Sequence, residues 1–198
     1  MTTLPELRDR VRQDLHDTDS SAYRWPDSQL DRHIERALGE VSLAIPQELT
    51  ATLATTSGSR ELSLAALDGL LEVEAVEYPV GHFPPCYVGF ATWAATLTLH
   101  SATEPDGSDA KLYYTARHTL DEAGSSLPDE LVDLVAMGAG AYAALEQAVA
   151  TTGVLVTGDR VPDRFAEWGR ARLTAFHQLL HHYGRRNRVR ARRLYTPA

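Results

Sequence analysis

The residues whose side chains are best suited to bind a charged partner are arginines at the C-terminal end of the sequence. Six of them fall within residues 185–198, and no acidic residue lies beyond Glu167, so this segment carries +6 while residues 1–184 carry 13 − 27 = −14. A guanidinium group binds phosphate and carboxylate with the same planar fork. The arginines therefore leave three interpretations open: a grip on nucleic acid, a dock on an acidic protein surface, or a solvated run.

Two histidines near this segment have the spacing of a metal-binding pair. His177 and His181 are four residues apart, which places both imidazoles on one face of a helix. No third ligand follows at a recognisable spacing, and the single cysteine, Cys86, is remote in sequence. We therefore favour a solvated histidine face and expect neither a metal nor a cofactor.

Hydrolytic chemistry is the second possibility that the residue types raise. His118, Asp121 and Ser125 contain the members of a triad, but nucleophile and base must converge in space. Residues this close to a helix start are more simply a turn. No glycine-rich phosphate loop is present, and Cys86 has no neighbouring base that would mark it as reactive. The sequence predicts no enzyme.

The acidic residues around Gly107 superficially resemble a cation-binding loop. Glu104, Asp106 and Asp109 fail the calcium-loop spacing, and a hairpin turn needs the same residue types. We therefore predict a turn. The tryptophans lie in apolar patterns and are expected in the core; they are Trp25, Trp93 and Trp168.

Two helical segments are predicted within residues 1–48. Apolar residues recur at helical spacing from Leu4 to Leu15, and Thr3 is the expected N-cap. A second helix is expected to begin at residues 25–28, capped by Asp or Ser, and to end at Pro46.

Residues 49–118 have a different pattern, with short runs of Thr, Val, Leu and Tyr between turn residues. This pattern predicts an inserted antiparallel β module of five or six strands. The runs are Leu62–Leu64, Val73–Val76, Tyr87–Trp93, Leu97–Leu99 and Leu112–Tyr114.

Residues 119–184 are predicted to be helical again and to pack with residues 1–48. A helix should begin at Ser126 as cap, with Pro128 in its first turn, and run to about Thr151. It contains small residues, and each Gly costs about 1 kcal/mol relative to Ala in a helix interior, so another backbone is expected to pack closely there. These residues are Gly138, Ala139, Gly140 and Ala141.

A last helix, opening near Pro162, is expected to continue into the arginine segment and to hold it away from the body. The predicted fold class is α+β: a bundle of about four helices, an inserted β module and an extended basic C-terminal arm. The docking-arm residues are Arg185, Arg186, Arg188, Arg190, Arg192, Arg193, Leu194 and Tyr195. Neither a signal peptide nor a membrane-spanning segment is expected, and the default compartment is the cytoplasm of the producing cell.

The charge distribution favours a protein partner for the arm. A body of −14 repels DNA, so a DNA-binding protein of this composition would oppose its own arm. The apolar residues Leu194 and Tyr195 suit insertion into a protein groove. A nucleic-acid-binding regulator or packaging factor that uses the same arm stays open as the alternative.

Several short stretches resemble the head-to-tail connector proteins of tailed bacteriophages, also called adaptors. Residues 7–15 (LRDRVRQDL), 23–30 (YRWPDSQL) and 37–42 (ALGEVS) resemble the N-terminal part of these adaptors. Residues 113–121 (YYTARHTLD), 124–128 (GSSLP) and 138–143 (GAGAYA) are similar to relatives associated with prophage-like structural genes. The β module is larger than the single hairpin of the simplest adaptors.

The resemblance implies a structural virion protein of the neck, located between head and tail and made in the host cytoplasm. It implies an oligomeric ring, usually a dodecamer, bound under the portal protein, with the C-terminal segment reaching into the portal. Other surfaces would receive a stopper or tail-completion protein. Genomic DNA would pass through the lumen during ejection without sequence-specific binding, and an acidic body suits such a channel.

Overall fold

A computed structural model describes residues 2–152 and 161–189 of the chain. The described residues form two compact units, one from residues 2–45 and 118–189 and the other from residues 46–117. The first is helical and the second is an antiparallel sheet, so the fold class is α+β. The β module is thus inserted between two helical halves of the sequence, with boundaries at residues 45/46 and 117/118.

Helix α1 spans Leu4–Asp14, and its start follows from a complete capping box. The Thr3 hydroxyl accepts the amide of Glu6, and the Glu6 carboxylate accepts the amide of Thr3. This reciprocal pair satisfies two amides that the helix leaves without partners. Thr3 is thus the N-cap that the sequence predicts, and Leu7 and Val11 in the helix that follows are fully buried.

Helix α2 spans Asp27–Ala44 and begins directly after Pro26, which has no side-chain capping bond. The prediction that Asp or Ser caps α2 is wrong, because the Asp27 carboxylate instead accepts hydrogen bonds from Arg8 and Arg12 of α1. The apolar face of α2 enters the helical core. Its fully buried or nearly fully buried members are Leu30, Ile34, Ala37 and Val41.

Helices α3 (Asp129–Thr152) and α4 (Val161–Val189) complete this unit. The carbonyl of Pro128 accepts the amides of Leu131 and Val132, so the helix begins after the proline. Ser126 does not cap α3, contrary to the prediction. Its hydroxyl accepts the amide of Thr119 instead, which closes the preceding turn.

The β module is one six-stranded antiparallel sheet in the order β1-β6-β3-β4-β5-β2. The strands are β1 Gln47–Ala54, β2 Glu61–Ser63, β3 Leu70–Glu77, β4 Tyr87–Trp93, β5 Thr96–His100 and β6 Asp109–Ala116. Each predicted run falls within or beside a strand, but β1 was not among them, although Leu49, Ala51 and Leu53 alternate with more exposed neighbours. A second apolar core lies under this sheet and includes Val76, Leu97 and Leu112.

Strands β3 and β4 are paired only next to the turn that joins them. Val76 pairs with Val88 and Glu77 with Tyr87, whereas β3 continues along β6 and β4 continues along β5. The two strands therefore diverge away from their common turn, and the sheet curls at this point.

The three tryptophans have different environments, and the prediction of a buried Trp93 is wrong. Trp25 is fully buried, whereas Trp93 is 86% exposed. Trp93 is the last residue of β4 beside the Ala94 turn, where the strand carries exposed residues on both faces. Trp168 packs partly buried against the helical core.

In the ranges 2–152 and 161–189, no helix combines the length and the apolar character needed to cross a bilayer.

Candidate functional site

The predicted docking arm begins on α4 and extends beyond it. Arg185, Arg186 and Arg188 lie within the Val161–Val189 helix, and the Arg185 side chain is exposed. The remaining arm residues lie outside the described part of the chain; they are Arg190, Arg192, Arg193, Leu194 and Tyr195. The structure thus places the start of the arm on a continuous helix.

The end of α4 is held against α2 up to the residue before the arm. A Cβ built on Gly184 would lie 3.3 Å from the carbonyl oxygen of Ala44, at the end of α2. Tyr183 packs against the same core as the buried Phe176 and Leu180. The helix therefore changes from packed to exposed between Gly184 and Arg185.

The small residues of α3 let α2 and α4 approach it closely. A Cβ on Gly138 would lie 2.9 Å from the Phe176 ring and 3.0 Å from the Cβ of Ala37, so side chains of two other helices fill that space. At Gly140 the nearest atom, in the Trp168 ring, is 3.7 Å away. The flanking Ala139 and Ala141 are completely buried.

A backbone approaches another backbone closely at a glycine of α4. A Cβ on Gly169 would lie 3.2 Å from the carbonyl oxygen of Ala141 and 2.9 Å from the Leu145 side chain. Gly169 was not among the candidate packing residues. Its signal in the sequence was weak, because a lone glycine in a helix pattern only hints at a close contact.

Glu40 of α2 joins all three long helices through polar contacts. The Tyr142 hydroxyl donates to it at 2.6 Å, and His177 Nε2 lies 3.2 Å from its other oxygen. Burial, and then the hydrogen bond to Glu40, raises the pKa of Tyr142 to about 12. His177 thus contacts a carboxylate on α2, and no group of three or more His, Cys, Asp or Glu residues among the described positions could hold a metal ion.

Glu146 of α3 is held by side chains of α2. Arg32 donates to both of its oxygens at 2.6 Å, and His33 Nε2 lies 2.5 Å away. The Arg32 hydrogen bonds lower the pKa of Glu146 to about 2. The pKa of His33 is also lowered, because burial of its ring outweighs the opposing effect of the Glu146 carboxylate.

A buried ion pair fixes the connection between α1 and α2. Arg12 is 3% exposed and Asp17 is 7% exposed, with 2.7 Å between Nη1 and Oδ2. Arg12 also donates to the Trp25 carbonyl, and Asp17 accepts the amides of Arg24 and Trp25. The apolar periodicity of α1 carried no signal for this pair.

The residues of the possible hydrolytic triad serve the turn before α3. His118 is buried, with Nε2 3.0 Å from the Ile45 carbonyl oxygen and Nδ1 3.2 Å from the Ser126 hydroxyl oxygen. Asp121 accepts the amides of Ala123 and Gly124. Both ring nitrogens of His118 thus contact groups other than Ser125.

The acidic turn at Gly107 has internal partners. Asp106 Oδ1 accepts the Ser108 amide and the Tyr78 hydroxyl. These hydrogen bonds, first of all those with Ser108, lower the pKa of Asp106. Gly107 has a φ of 99°, a conformation that glycine adopts readily. The segment is a turn, as predicted, but not a hairpin turn, because it joins β5 to β6 and these strands pair with other strands of the sheet and not with each other.

A feature that sequence reasoning missed lies in the β module. A cavity of about 420 Å³ is lined by residues of both β3 and β4, including Leu70, Val73 and Phe90. The sequence carried no signal for this cavity, because it forms where β3 and β4 separate to pair with β6 and β5.

No protein-family model matches this chain, and no curated protein matches it.

Proposed function

We propose that this protein is a head-to-tail adaptor of a tailed bacteriophage, a structural neck protein without catalytic activity. The observation that supports this most directly is the end of α4: the helix packs against Ala44 through Gly184, and Arg185, the first basic residue of the arm, is exposed. A helix anchored up to the first arm residue can present the arm to a second protein.

The charge distribution supports a protein as the arm's partner. Residues 185–198 carry +6 and the rest of the chain −14. An acidic surface on the portal would attract the arm without attracting the body, and Leu194 and Tyr195 would add apolar contacts. In this proposal the arm docks into the portal protein.

The proposed assembly is a ring of copies, twelve by resemblance, under the portal. Its acidic body lets genomic DNA pass without binding the phosphates, since like charges repel. The surface away from the portal receives a stopper or tail-completion protein. The resulting location is the neck of the virion.

The test is capture of partners from nuclease-treated lysate of the producing cells. The full chain is compared with a chain that ends at Gly184, and bound proteins are identified by mass spectrometry. We expect portal protein with the full chain alone. Retained capture by the shortened chain would contradict the role of the arm.

Two further variants separate the arm's charges from its apolar end. The first replaces all six arm arginines by glutamine, and the second is Leu194→Ala with Tyr195→Ala. A matched control replaces Arg164 and Arg170, which are exposed on α4 outside the arm. We expect loss of capture in the first variant, weaker capture in the second and unchanged capture in the control.

A further inference from the structure

Strand β1 is a long edge of the sheet that is paired on one side only. It spans Gln47–Ala54 and lies first in the strand order, beside β6, and no other strand in the described part of the chain pairs with it. The opposite edge is β2, Glu61–Ser63, which is only three residues long. An edge strand presents backbone amides and carbonyls to which another strand can bond. The eight-residue β1 therefore offers the longer edge for such pairing.

The hydrogen bonds to β6 determine which backbone groups of β1 face outward. The Thr55 amide donates to the Ser108 carbonyl at 3.4 Å and continues the register of β1 with β6. Bonded and non-bonded pairs alternate along an antiparallel ladder, so the odd-numbered residues of β1 bond to β6. The amides and carbonyls of Thr50 and Thr52 point away from it. No hydrogen bond from another described residue reaches these outward groups.

The strand lacks the features that usually protect an edge from pairing, which are lysine, proline and β-bulges. Residues 47–54 (QELTATLA) contain neither lysine nor proline, and Glu48 is their only charged residue. Their register with β6 is unbroken. The apolar side chains of the strand are only half-buried; they are Leu49, Ala51 and Leu53. A further strand beside β1 would bond the outward backbone groups and cover these side chains.

The sequence of β1 is symmetric about Ala51, and this symmetry identifies the occupant of the edge. The residues centred on Ala51 read LTATL in both directions. When two antiparallel copies of β1 meet with Ala51 opposite Ala51, Thr50 faces Thr52 of the other copy. In the same register Leu49 faces Leu53, so each pair joins identical residue types. A two-fold contact requires a surface that is complementary to itself, and a palindromic strand meets this requirement.

This register also keeps the charged residues of the two strands apart. Glu48 of one copy falls opposite Ala54 of the other, so no two carboxylates are paired. The two Glu48 residues lie six residues apart along the strands, roughly 20 Å at about 3.3 Å per residue. This separation exceeds the Debye length of about 8 Å at physiological ionic strength, so their repulsion is largely screened.

We propose that β1 pairs antiparallel with β1 of a second copy of this chain, across a two-fold axis at Ala51. The pairing joins the two sheets into one and produces a dimer. Because each copy then has its β1 edge covered, the contact does not repeat as the contact within a ring must. The dimer is therefore a state of the free protein.

This inference goes beyond the proposed function and does not rest on it. It uses residues of the β module alone, whereas the proposed function uses the basic arm. Portal capture can succeed where the dimer fails, and the dimer can form where portal capture fails. The two proposals are therefore tested separately.

Analytical ultracentrifugation of the full chain over a concentration series tests for the dimer, and we expect a monomer–dimer equilibrium. Thr50→Lys with Thr52→Lys should raise the dissociation constant at least about tenfold, because these positions face each other and like charges directly opposite destabilise a strand pair. Both side chains are exposed, so the module still folds. The matched control is Ala91→Lys with Thr92→Lys, at exposed positions of β4, which has a neighbouring strand on each side.

Disulfide cross-linking tests the register in a Cys86→Ser background, which removes the single native thiol. In the proposed register, position 50 lies about 5.5 Å in Cα separation from position 52 of the other copy, and a disulfide needs about 4.4–6.8 Å. Position 50 lies diagonal to position 50 of the other copy, at about 7–8 Å. A mixture of Thr50→Cys and Thr52→Cys proteins should therefore cross-link roughly tenfold more than either protein alone.

A full chain that is monomeric at every concentration would overturn the proposal, and so would a dimer that the Thr50→Lys with Thr52→Lys variant leaves unchanged. Cross-linking of the Thr50→Cys protein alone that equals that of the mixture would also overturn it, since the pairing would then not be centred on Ala51. The chain ending at Gly184 should dimerise as the full chain does. Loss of the dimer there would assign the contact to the basic arm and contradict pairing through β1.

Discussion

At the scale of single residues, buried charges hold the N-terminal part of the helical unit together. Arg12 and Asp17 are almost completely buried and satisfy each other, and Asp17 also accepts two backbone amides. A buried pair of this kind adds little net stability relative to apolar residues, but removing one partner leaves an uncompensated charge. The main effect of the pair on stability is therefore the loss of folding free energy when one partner is removed.

Arg12→Met should lower the free energy of unfolding by about 3 kcal/mol, because Asp17 stays buried without its counter-ion. Urea unfolding followed by circular dichroism measures the change. The control is Arg10→Met, since the Arg10–Asp133 pair is exposed on both sides and such pairs contribute at most about 1 kcal/mol. Equal losses for the two variants would contradict the buried-pair interpretation.

His33 should make the stability of the helical unit depend on pH. Its pKa is lowered from 6.5 by burial, against the opposing effect of Glu146. The unfolded chain therefore takes up the proton first as pH falls, and stability declines from about pH 6.5 toward the folded pKa. His33→Gln removes this titration and should flatten the curve between pH 7 and 5. An unchanged slope in unfolding measurements would rule out His33 as the cause.

At the scale of elements, α3 acts as the central helix because glycine and alanine let two helices approach it. The closest approach is at Gly138, which faces the fully buried Phe176 and Ala37. Gly140, two residues later, faces only the edge of Trp168 at van der Waals distance. An added methyl group therefore lacks space at Gly138 but fits at Gly140.

Gly138→Ala should destabilise the protein, because the Phe176 ring cannot move in a close-packed core without strain of about 1–3 kcal/mol. Gly140→Ala should instead leave stability unchanged or raise it by up to about 1 kcal/mol through helix propensity. Thermal unfolding of the two variants decides between them. A stabilising Gly138→Ala would show that the three helices are less tightly packed than the distances indicate.

At the scale of the whole molecule, the separation of charge distinguishes a protein-docking arm from a nucleic-acid-binding arm. The body carries −14 and the arm +6. Each phosphate contact releases counter-ions, so arm binding to DNA would weaken steeply with salt. The negatively charged body repels DNA and so opposes DNA binding by the arm, and this repulsion is present only in the full chain.

A synthetic peptide of residues 185–198 should therefore bind a short DNA duplex more tightly than the full chain does, with steep salt dependence. Fluorescence anisotropy at two salt concentrations measures both, and a peptide with glutamine in place of arginine is the control. Tighter binding by the full chain would favour the rival function, a nucleic-acid-binding regulator or packaging factor.

Local patterns in the sequence predicted the α+β class and the main elements. The Thr3 cap, the helices ending near Pro46 and beginning near Pro128, and most strands follow from periodicity, caps and turn residues, all of which act over a few positions. The +6 arm is likewise a property of composition. These features need no knowledge of distant contacts.

Only the tertiary structure determined which side chains are buried and which groups they bond to. Trp93 lies in an apolar pattern yet is exposed, because the curled sheet covers other positions of β4. Arg12 is buried and Ser126 bonds Thr119 because residues from other elements surround them. The cavity between β3 and β4 forms because β3 pairs along most of its length with β6, and β4 pairs along most of its length with β5. Such outcomes depend on competition among long-range contacts, which spacing along a single sequence does not encode.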